Sequence, residues 1–396
     1  MLKLTALDIM VVAAMVLPTW FATMNLLLSY VRLPQPEARP PRGPLPEVAI
    51  IVPVKDDPSI FNSIPYYRSL IYPHYHVIIV DDSDSPQFVE RLRSAVGSDE
   101  RFILLHREPW QRRGRKGDAL NFGLMAASRL SPKYVVIMDA DHRPPRNFLL
   151  KGVSLIGGHR ALIGYQRHSV GAYDLFGKLY FYSQAASIRI LRAKQALGMP
   201  PIFTGSVGMF DYATISKYMF DGGSITEDWE LTLRMVIGGD FDAVVSDEFY
   251  ADAAVPLNIT WFVNQQLRWA SGTINDFVRH LRGAARSGLR NFVGLAYNGL
   301  LFSQSLGIVF LLLTYLFFYR AGSVTSLAAT AVFAYLLASW VVTFTKASRD
   351  VEGRAPSLAL VLYSILMTYF TSFVHSAGTV MGLLGMKGWK VTRRRG

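Results

Sequence analysis

The chain has 396 residues, 51% of them apolar, a formal charge of +12 and no cysteine. Such a length holds one large domain, or a domain of roughly 230 residues with membrane segments attached. With no thiol present, disulfides, thiolate metal sites and cysteine nucleophiles are excluded, and any metal ligand must be Asp, Glu or His.

The apolar residues gather in Leu7–Val31 and again after Asn291, leaving residues 47–285 with an ordinary globular mix. Leu7–Val31 carries only Asp8 as a charge and is long enough to cross a bilayer. It is too long for the core of a signal peptide and lacks a convincing small-residue cleavage site, so residues 1–31 are predicted to be a retained membrane anchor. Residues 32–46 follow as a stiff, extended linker with six prolines. Arg32, Arg39 and Arg42 place the next domain in the cytoplasm and the N-terminus outside.

From Glu47 the pattern alternates. Val48–Val54, His76–Val80, Phe102–Leu105 and Tyr134–Met138 are short β-branched or apolar runs, each followed by a polar or glycine-containing loop and a helix-like stretch. This predicts an α/β domain with a mainly parallel sheet over residues 47–272. A predicted amphipathic helix, residues 273–290, carries Ile274, Phe277, Val278, Leu281 and Ala285 on one side and Arg279, Arg282 and Arg286 on the rest, as expected of a helix lying in the membrane interface. Three apolar blocks, Asn291–Tyr319, Ser323–Thr345 and Pro356–Met386, form a C-terminal membrane region, residues 291–386. Three full spans would leave the basic tail, residues 387–396, outside, against the positive-inside tendency. Pro356–Met386, which contains His375, Gly378 and Gly382, is therefore expected to be partly re-entrant or interfacial. The cationic clusters, including Lys387, Lys390 and Arg393–Arg395, suit cytoplasmic flanks and anionic lipid headgroups. No interleaved aromatic-basic surface accompanies them, which speaks against nucleic acid as a partner.

Two predicted strands end in acidic clusters, Asp81-Asp82-Ser83-Asp84 and Asp139-Ala-Asp141, and open α/β sheets bind ligands at the carboxyl ends of their strands. Asp139 and Asp141 can jointly hold a hard divalent cation, although a solvated, helix-capping loop explains an isolated Asp-x-Asp as well. Asp81 or Asp82 can accept hydrogen bonds from a base or ribose, while turn formation is the competing explanation. Lys116 adds charge suited to phosphate, and the lack of a Gly-x-x-x-x-Gly-Lys-Ser/Thr run argues against a Walker-type ATPase. Thr226-Glu227-Asp228 opens a helix-like run in which Thr226 suits an N-cap and the acids suit the first turn. Functionally, Asp228 can serve as a general base toward a hydroxyl. Gln265, Arg268 and Trp269 share one helix face; Trp269 can stack on a sugar or pack on lipid, and Arg268 can neutralise a leaving diphosphate.

Taken in order, Val52-Pro-Val-Lys-Asp-Asp57, Asp81-Asp82-Ser83, Lys116-Gly-Asp-Ala-Leu-Asn121, Asp139-Ala-Asp-His142, Phe203-Thr-Gly-Ser206, Thr226-Glu-Asp228 and Gln265-Gln-Leu-Arg-Trp269 resemble the membrane-embedded family 2 glycosyltransferases. That family includes cellulose and hyaluronan synthases and ceramide glucosyltransferase, and Gly388-Trp-Lys-Val-Thr392 also resembles the tail of several members. The resemblance implies a GT-A fold inserted between transmembrane helices, a nucleotide-sugar donor, often uridine-linked, and Mg²⁺ or Mn²⁺. It assigns Asp57, Asp81, Asp82, Lys116 and Asp139 to the nucleotide sugar, and Asp139 with Asp141 to the metal. Asp228, beside Glu227, becomes the base; Gln265, Arg268, Trp269, Thr204 and Gly205 hold the acceptor and diphosphate. Lys116-Gly-Asp118 and Lys55-Asp56 depart from the more usual Lys-Ala-Gly and Tyr-Asn. The implied activity is inverting transfer to a growing β-linked polysaccharide at the cytoplasmic face of the plasma membrane. Polymer-extruding members have more than the four spans counted here, so a single transfer to a lipid acceptor is the alternative, and a second copy or an accessory membrane subunit would complete a polymer path. A non-catalytic module that binds a nucleotide or glycan is the remaining reading.

Overall fold

Runs of Val and Ile that are buried on both faces need a covered, mainly parallel sheet, and the chain builds one. The computed structural model of the protein describes residues 5–34, 38, 43–318, 324–386 and 394–395. Most of the proline-rich linker, with Arg39 and Arg42, lies outside the described residues, as do Gly388–Thr392, Lys387 and Arg393. After α1 (Ala6–Tyr30) come β1 (Val48–Val54), α2 (Ser59–Arg68), β2 (Tyr75–Asp81), α3 (Pro86–Val96), β3 (Phe102–His106), α4 (Lys116–Ala127), β4 (Tyr134–Ile137), α5 (Phe148–Ile156), β5 (Ala161–Val170) and α6 (Leu175–Ala196). Then follow β6 (Gly208–Asp211), α7 (Tyr212–Tyr218), α8 (Glu227–Ile237), β7 (Ala243–Ala254), α9 (Ile259–Arg286), α10 (Leu289–Gly299), α11 (Gln304–Phe318), α12 (Val324–Glu352) and α13 (Leu358–Leu383).

The seven strands are ordered β3-β2-β1-β4-β6-β5-β7. All neighbours pair in parallel except β6, which runs antiparallel between β4 and β5. Alternate residues of β1 feed opposite layers: Ile50 and Val52 pack with Ile60 of α2 and Leu92 of α3, while Ala49 and Ile51 pack with Leu120 of α4 and Leu191 of α6. The α/β fold with a mainly parallel sheet is as expected. Because β2, β1 and β4 are parallel, Asp81, Val54 and Met138 arrive at the same edge, and that edge positions the site.

Helix α9 differs from expectation. It begins at Ile259, where the Asn258 side chain accepts from the Thr260 and Trp261 amides, and passes through Gly272 unbroken. The expected boundary between residues 272 and 273 therefore falls inside one helix. Gly272 permits close approach: a Cβ there would lie 2.7 Å from Thr226 Oγ1. Ile274 and Phe277 are buried as expected, whereas Val278 and Leu281 are exposed, because the side facing α8 is set by Thr273 and Phe277.

Among the described residues, three helices are long and apolar enough to cross a membrane: α1, residues 325–350 of α12, and α13. The first C-terminal block is broken instead into α10 and α11, bent by 53°, while Leu358–Leu383 is continuous. Helix α13 touches the domain's helices at both ends, with Leu360 beside Tyr182 of α6 and Gly378 and Gly382 against α9. The tail also returns to the domain. Arg394 bridges to Pro256, and the Arg395 amide donates to the Val255 carbonyl. Both arginines are thus committed to protein partners rather than to lipid.

Candidate active site

At the end of β2, Asp81 is fully buried. Its carboxylate bonds His106 Nδ1 at 2.8 Å and accepts the Ser83 amide at 3.0 Å. Asp82 is held by Arg107 Nε and Nη2 at 2.6–2.7 Å, and Arg107 Nη1 also reaches Asp118 Oδ2 at 2.7 Å. Asp118, the departure from the usual glycine, thereby ties α4 to the end of β2. Asp57 accepts from the Ser59 amide and hydroxyl, and burial raises its carboxyl above the ordinary range.

The remaining candidates converge on one cavity of about 540 Å³, walled by Lys116, Asp139, Thr204, Gly205, Glu227, Asp228, Gln265, Arg268 and Trp269. Lys116, in the first turn of α4, reaches Asp139 Oδ1 at 2.6 Å, the Gly205 carbonyl at 2.9 Å and Glu227 Oε1 at 3.5 Å. Strand β6 brings the Thr204–Ser206 turn to β4, where Ser206 Oγ accepts the Asp139 amide. Gly205 sits at φ +86°, and a Cβ there would stand 2.8 Å from Asp228 Oδ2; glycine lets the backbone approach that carboxylate. Asp57, Asp81, Asp82 and Asp141 are outside this wall.

Asp228 opens α8. Burial, reinforced by the Glu227 carboxylate, pushes its carboxyl up to about 7. Thr226 occupies the N-cap position but its hydroxyl caps nothing; it donates to Asp276 Oδ2 at 2.9 Å, and Ser224 donates to the same oxygen at 2.7 Å. Trp229 Nε1 donates to the Thr273 carbonyl at 3.2 Å. These bonds join the Asp228 helix to α9, which carries Gln265, Arg268 and Trp269. Gln265 accepts the Tyr180 hydroxyl at 3.0 Å, and the buried Arg268 Nε has no hydrogen-bond partner among the described residues.

Asp139, Asp141 and His142 each offer a ligand atom, all within 4.8 Å of one another. Among the described residues His142 Nε2 is buried without a partner, and two carboxylates with an imidazole suit a divalent cation such as Mn²⁺. Arg394 from the tail now faces both acids, at 2.5 Å from Asp141 and 3.5 Å from Asp139. Burial would raise both carboxyls, yet Arg394 and His142 hold Asp141 well below the carboxylate range, and Lys116 and Arg394 hold Asp139 below it. The residues fit a cation once Arg394 withdraws.

Residues 134–382 match the family model of glycosyl transferase family group 2, and residues 51–213 that of glycosyl transferase family 2. The chain belongs to glycosyl transferase family group 2. This glycosyltransferase is 24% identical over 260 residues to probable glucomannan 4-beta-mannosyltransferase 7 of Oryza sativa subsp. japonica, covering 60% of the chain and 42% of that relative's length. The chain therefore spans less than half of the curated relative it matches. Its fold is similar to the mannosyltransferase PcManGT from Pyrobaculum calidifontis, solved in complex with GDP-Man and Mn²⁺, with a TM-score of 0.65, 20% identity, and 96% and 100% of the two chains covered. Arg107, Asp276 and Arg394 of this glycosyltransferase carry no motif that sequence reading singles out, although Arg394 stands in a conspicuous basic run.

Proposed function

We propose that this glycosyltransferase moves a sugar from a nucleoside diphosphate sugar to an acceptor hydroxyl with inversion, and that Asp228 is its general base. The observation that carries this is a carboxylate with a basicity raised to about 7 inside a cavity walled by Lys116 and Arg268. Asp228 takes the acceptor proton while the acceptor oxygen bonds to the anomeric carbon, and the sugar–phosphate bond breaks with its electron pair leaving on the nucleoside diphosphate. Arg268, with its unpartnered Nε, and Lys116 supply positive charge for that leaving group. Asp139 and Asp141, with His142, hold the divalent cation, which when bound neutralises diphosphate charge.

The donor base and sugar are proposed on the relatives' names. Both are mannosyltransferases and one was solved with GDP-Man, which supports a GDP-mannose donor over the uridine-linked donor implied by the resemblance. We place the domain on the cytoplasmic face of the plasma membrane, with α1, α11 and α12 crossing and α13 lying along the interface, since α13 meets the domain's helices at both ends. That arrangement returns Arg394 to the domain side. Growth of a β-linked polysaccharide is one acceptor reading; a lipid-borne acceptor is the second, favoured by a cavity that continues among the apolar helices.

Membranes containing the full chain should consume GDP-mannose or a UDP-sugar with Mn²⁺ or Mg²⁺. Asp228→Asn should lower transfer by about 10²–10⁴. Activity of the native chain should rise with pH along a limb near 7, because the base works deprotonated. Unchanged turnover in Asp228→Asn would remove Asp228 from the mechanism.

A further inference from the structure

The cavity does not end at the charged groups. Behind Gln265 and Arg268 it continues between α1, α6, α11, α12 and α13, and among the described residues no charged side chain lines that deeper part. Helix α13 is turned inside out relative to a helix in water. Leu362, Leu366, Phe370 and Phe373 are exposed on its outer side, whereas Ser364, Thr368, Thr371, Ser372 and His375, at helical spacing, line the chamber.

Hydroxyls in membrane helices often serve only as glue between helices. Some do so here: Ser364 accepts Trp340 Nε1 at 3.1 Å, and Ser339 donates to the Ala22 carbonyl at 2.8 Å. Among the described residues, the hydroxyls of Thr368, Thr371 and Ser372 bind no neighbouring helix. Each donates to a carbonyl of α13 itself, which leaves oxygen lone pairs available on the chamber wall. Gln266, joined to His375 at 2.9 Å through its Oε1, and Gln265, joined to Tyr180 through its Oε1, keep their amide N–H groups unpartnered among the described residues. Both glutamines are buried. The wall thus offers neutral acceptors on one side and neutral donors on the other, the pairing that sugar hydroxyls satisfy. Ile308, Leu336 and Met367 line the same space and suit an alkyl chain. The whole cavity, its charged end included, holds about 540 Å³, in the range of small-molecule sites rather than of a long polymer duct.

Resting on the glycosyl-transfer reading above, we propose that this chamber is the acceptor site and that the acceptor is a neutral lipid-anchored saccharide. Its sugar lies between Gln265, Gln266 and the Thr368–Ser372 turn, with its free hydroxyl toward Asp228, and its chain lies against Ile308, Leu336 and Met367. The uncharged wall places any phosphate linker outside the chamber.

The test is equilibrium binding to the full chain in phosphatidylcholine nanodiscs, free of glycoside detergent, followed by tryptophan fluorescence, since Trp269 and Trp340 line the cavity. Dodecyl mannoside should bind at least about tenfold more tightly than either methyl mannoside or dodecanol, equivalent to roughly 1.4 kcal/mol. Thr368→Val with Ser372→Ala should weaken dodecyl mannoside about tenfold while GDP-mannose binding holds, and Leu362→Ala, on the outer side, should weaken neither. Dodecanol or methyl mannoside binding as well as dodecyl mannoside would overturn the proposal, as would unchanged affinity in the double variant. Donor consumption measured in parallel separates the two readings. Binding of dodecyl mannoside without turnover of any nucleotide sugar would sink the transferase reading alone, and transfer to sugar-free lipid as the best acceptor would sink the chamber assignment alone.

Discussion

The end of β2 and the start of α8 both present aspartates at the carboxyl edge of the sheet, yet their surroundings differ. Asp81 is closed in by His106 and Ser83, and Asp82 by two nitrogens of a buried Arg107 whose third reaches Asp118. Asp228 has only its neighbouring Trp229 amide as a close donor, faces Glu227, and titrates near 7. A carboxylate whose charge is met by fixed partners is held in place. One whose charge is only half met is ready to take a proton.

Removing Arg107 should separate these roles most sharply. Arg107→Met leaves Asp82 and Asp118 facing each other without a cation, and breaking a buried pair in this way costs about 3–5 kcal/mol. Chemical denaturation should register that loss, and a change below about 1 kcal/mol would mean that water already screens the cluster. At Asp228 the sign is reversed. Its folded carboxyl is raised above its unfolded value, so the native state holds the proton more tightly, and the stability it contributes is full below pH 4 and lost as pH rises through about 7. Asp228→Asn should therefore abolish transfer while unfolding no more easily at pH 8.

The joint between the two halves comes next in size. Asp276→Ala removes the acceptor of both the Ser224 and Thr226 hydroxyls, and each buried donor that loses its partner costs roughly 1–3 kcal/mol. Because that joint ties the start of α8 to α9, under the proposed mechanism kcat should fall more than the KM for the nucleotide sugar changes. Equal effects on both would make Asp276 a purely structural residue.

Which features were legible in the sequence follows the same division between local and distant partners. Strands β1 to β4 are short apolar runs, those of β1, β2 and β4 buried on both faces as their composition says, and the acidic ends of β2 and β4 stand beside them. Strand β5 is interrupted by Gln166, Arg167 and His168, β6 has four residues, and β7 carries Asp247, Glu248 and Asp252, so none has a clean apolar period. Gly272 reads as a break because nothing local says that Thr226 needs the space of its missing side chain. Asp139 and Asp228 announce themselves through their motifs. The clustering of Asp81, Asp82, Arg107 and Asp118 does not, since each pairing crosses between elements.

Arg394 is the extreme case, 253 positions from the Asp141 it binds, and no local pattern distinguishes it from a lipid-facing charge. It also gives the smallest and most informative test of the comparison. Without bound metal, Arg394→Ala leaves Asp139 and Asp141 as two close, buried carboxylates, and the chain should lose about 1–2 kcal/mol at pH 7 once partial exposure of the guanidinium is discounted. Asp141 is held well below its ordinary value by that arginine, so its contribution is present above about pH 4 and lost as pH falls further; the variant should show a weaker acid transition than the native chain. Mn²⁺ should restore the lost stability, and electron paramagnetic resonance titration should give the variant a tighter Mn²⁺ affinity than the native chain, because the cation no longer competes with a guanidinium for the same two oxygens. An unchanged Mn²⁺ affinity would place the metal elsewhere and leave Asp139 and Asp141, like Asp81 and Asp82, as carboxylates closed by protein partners.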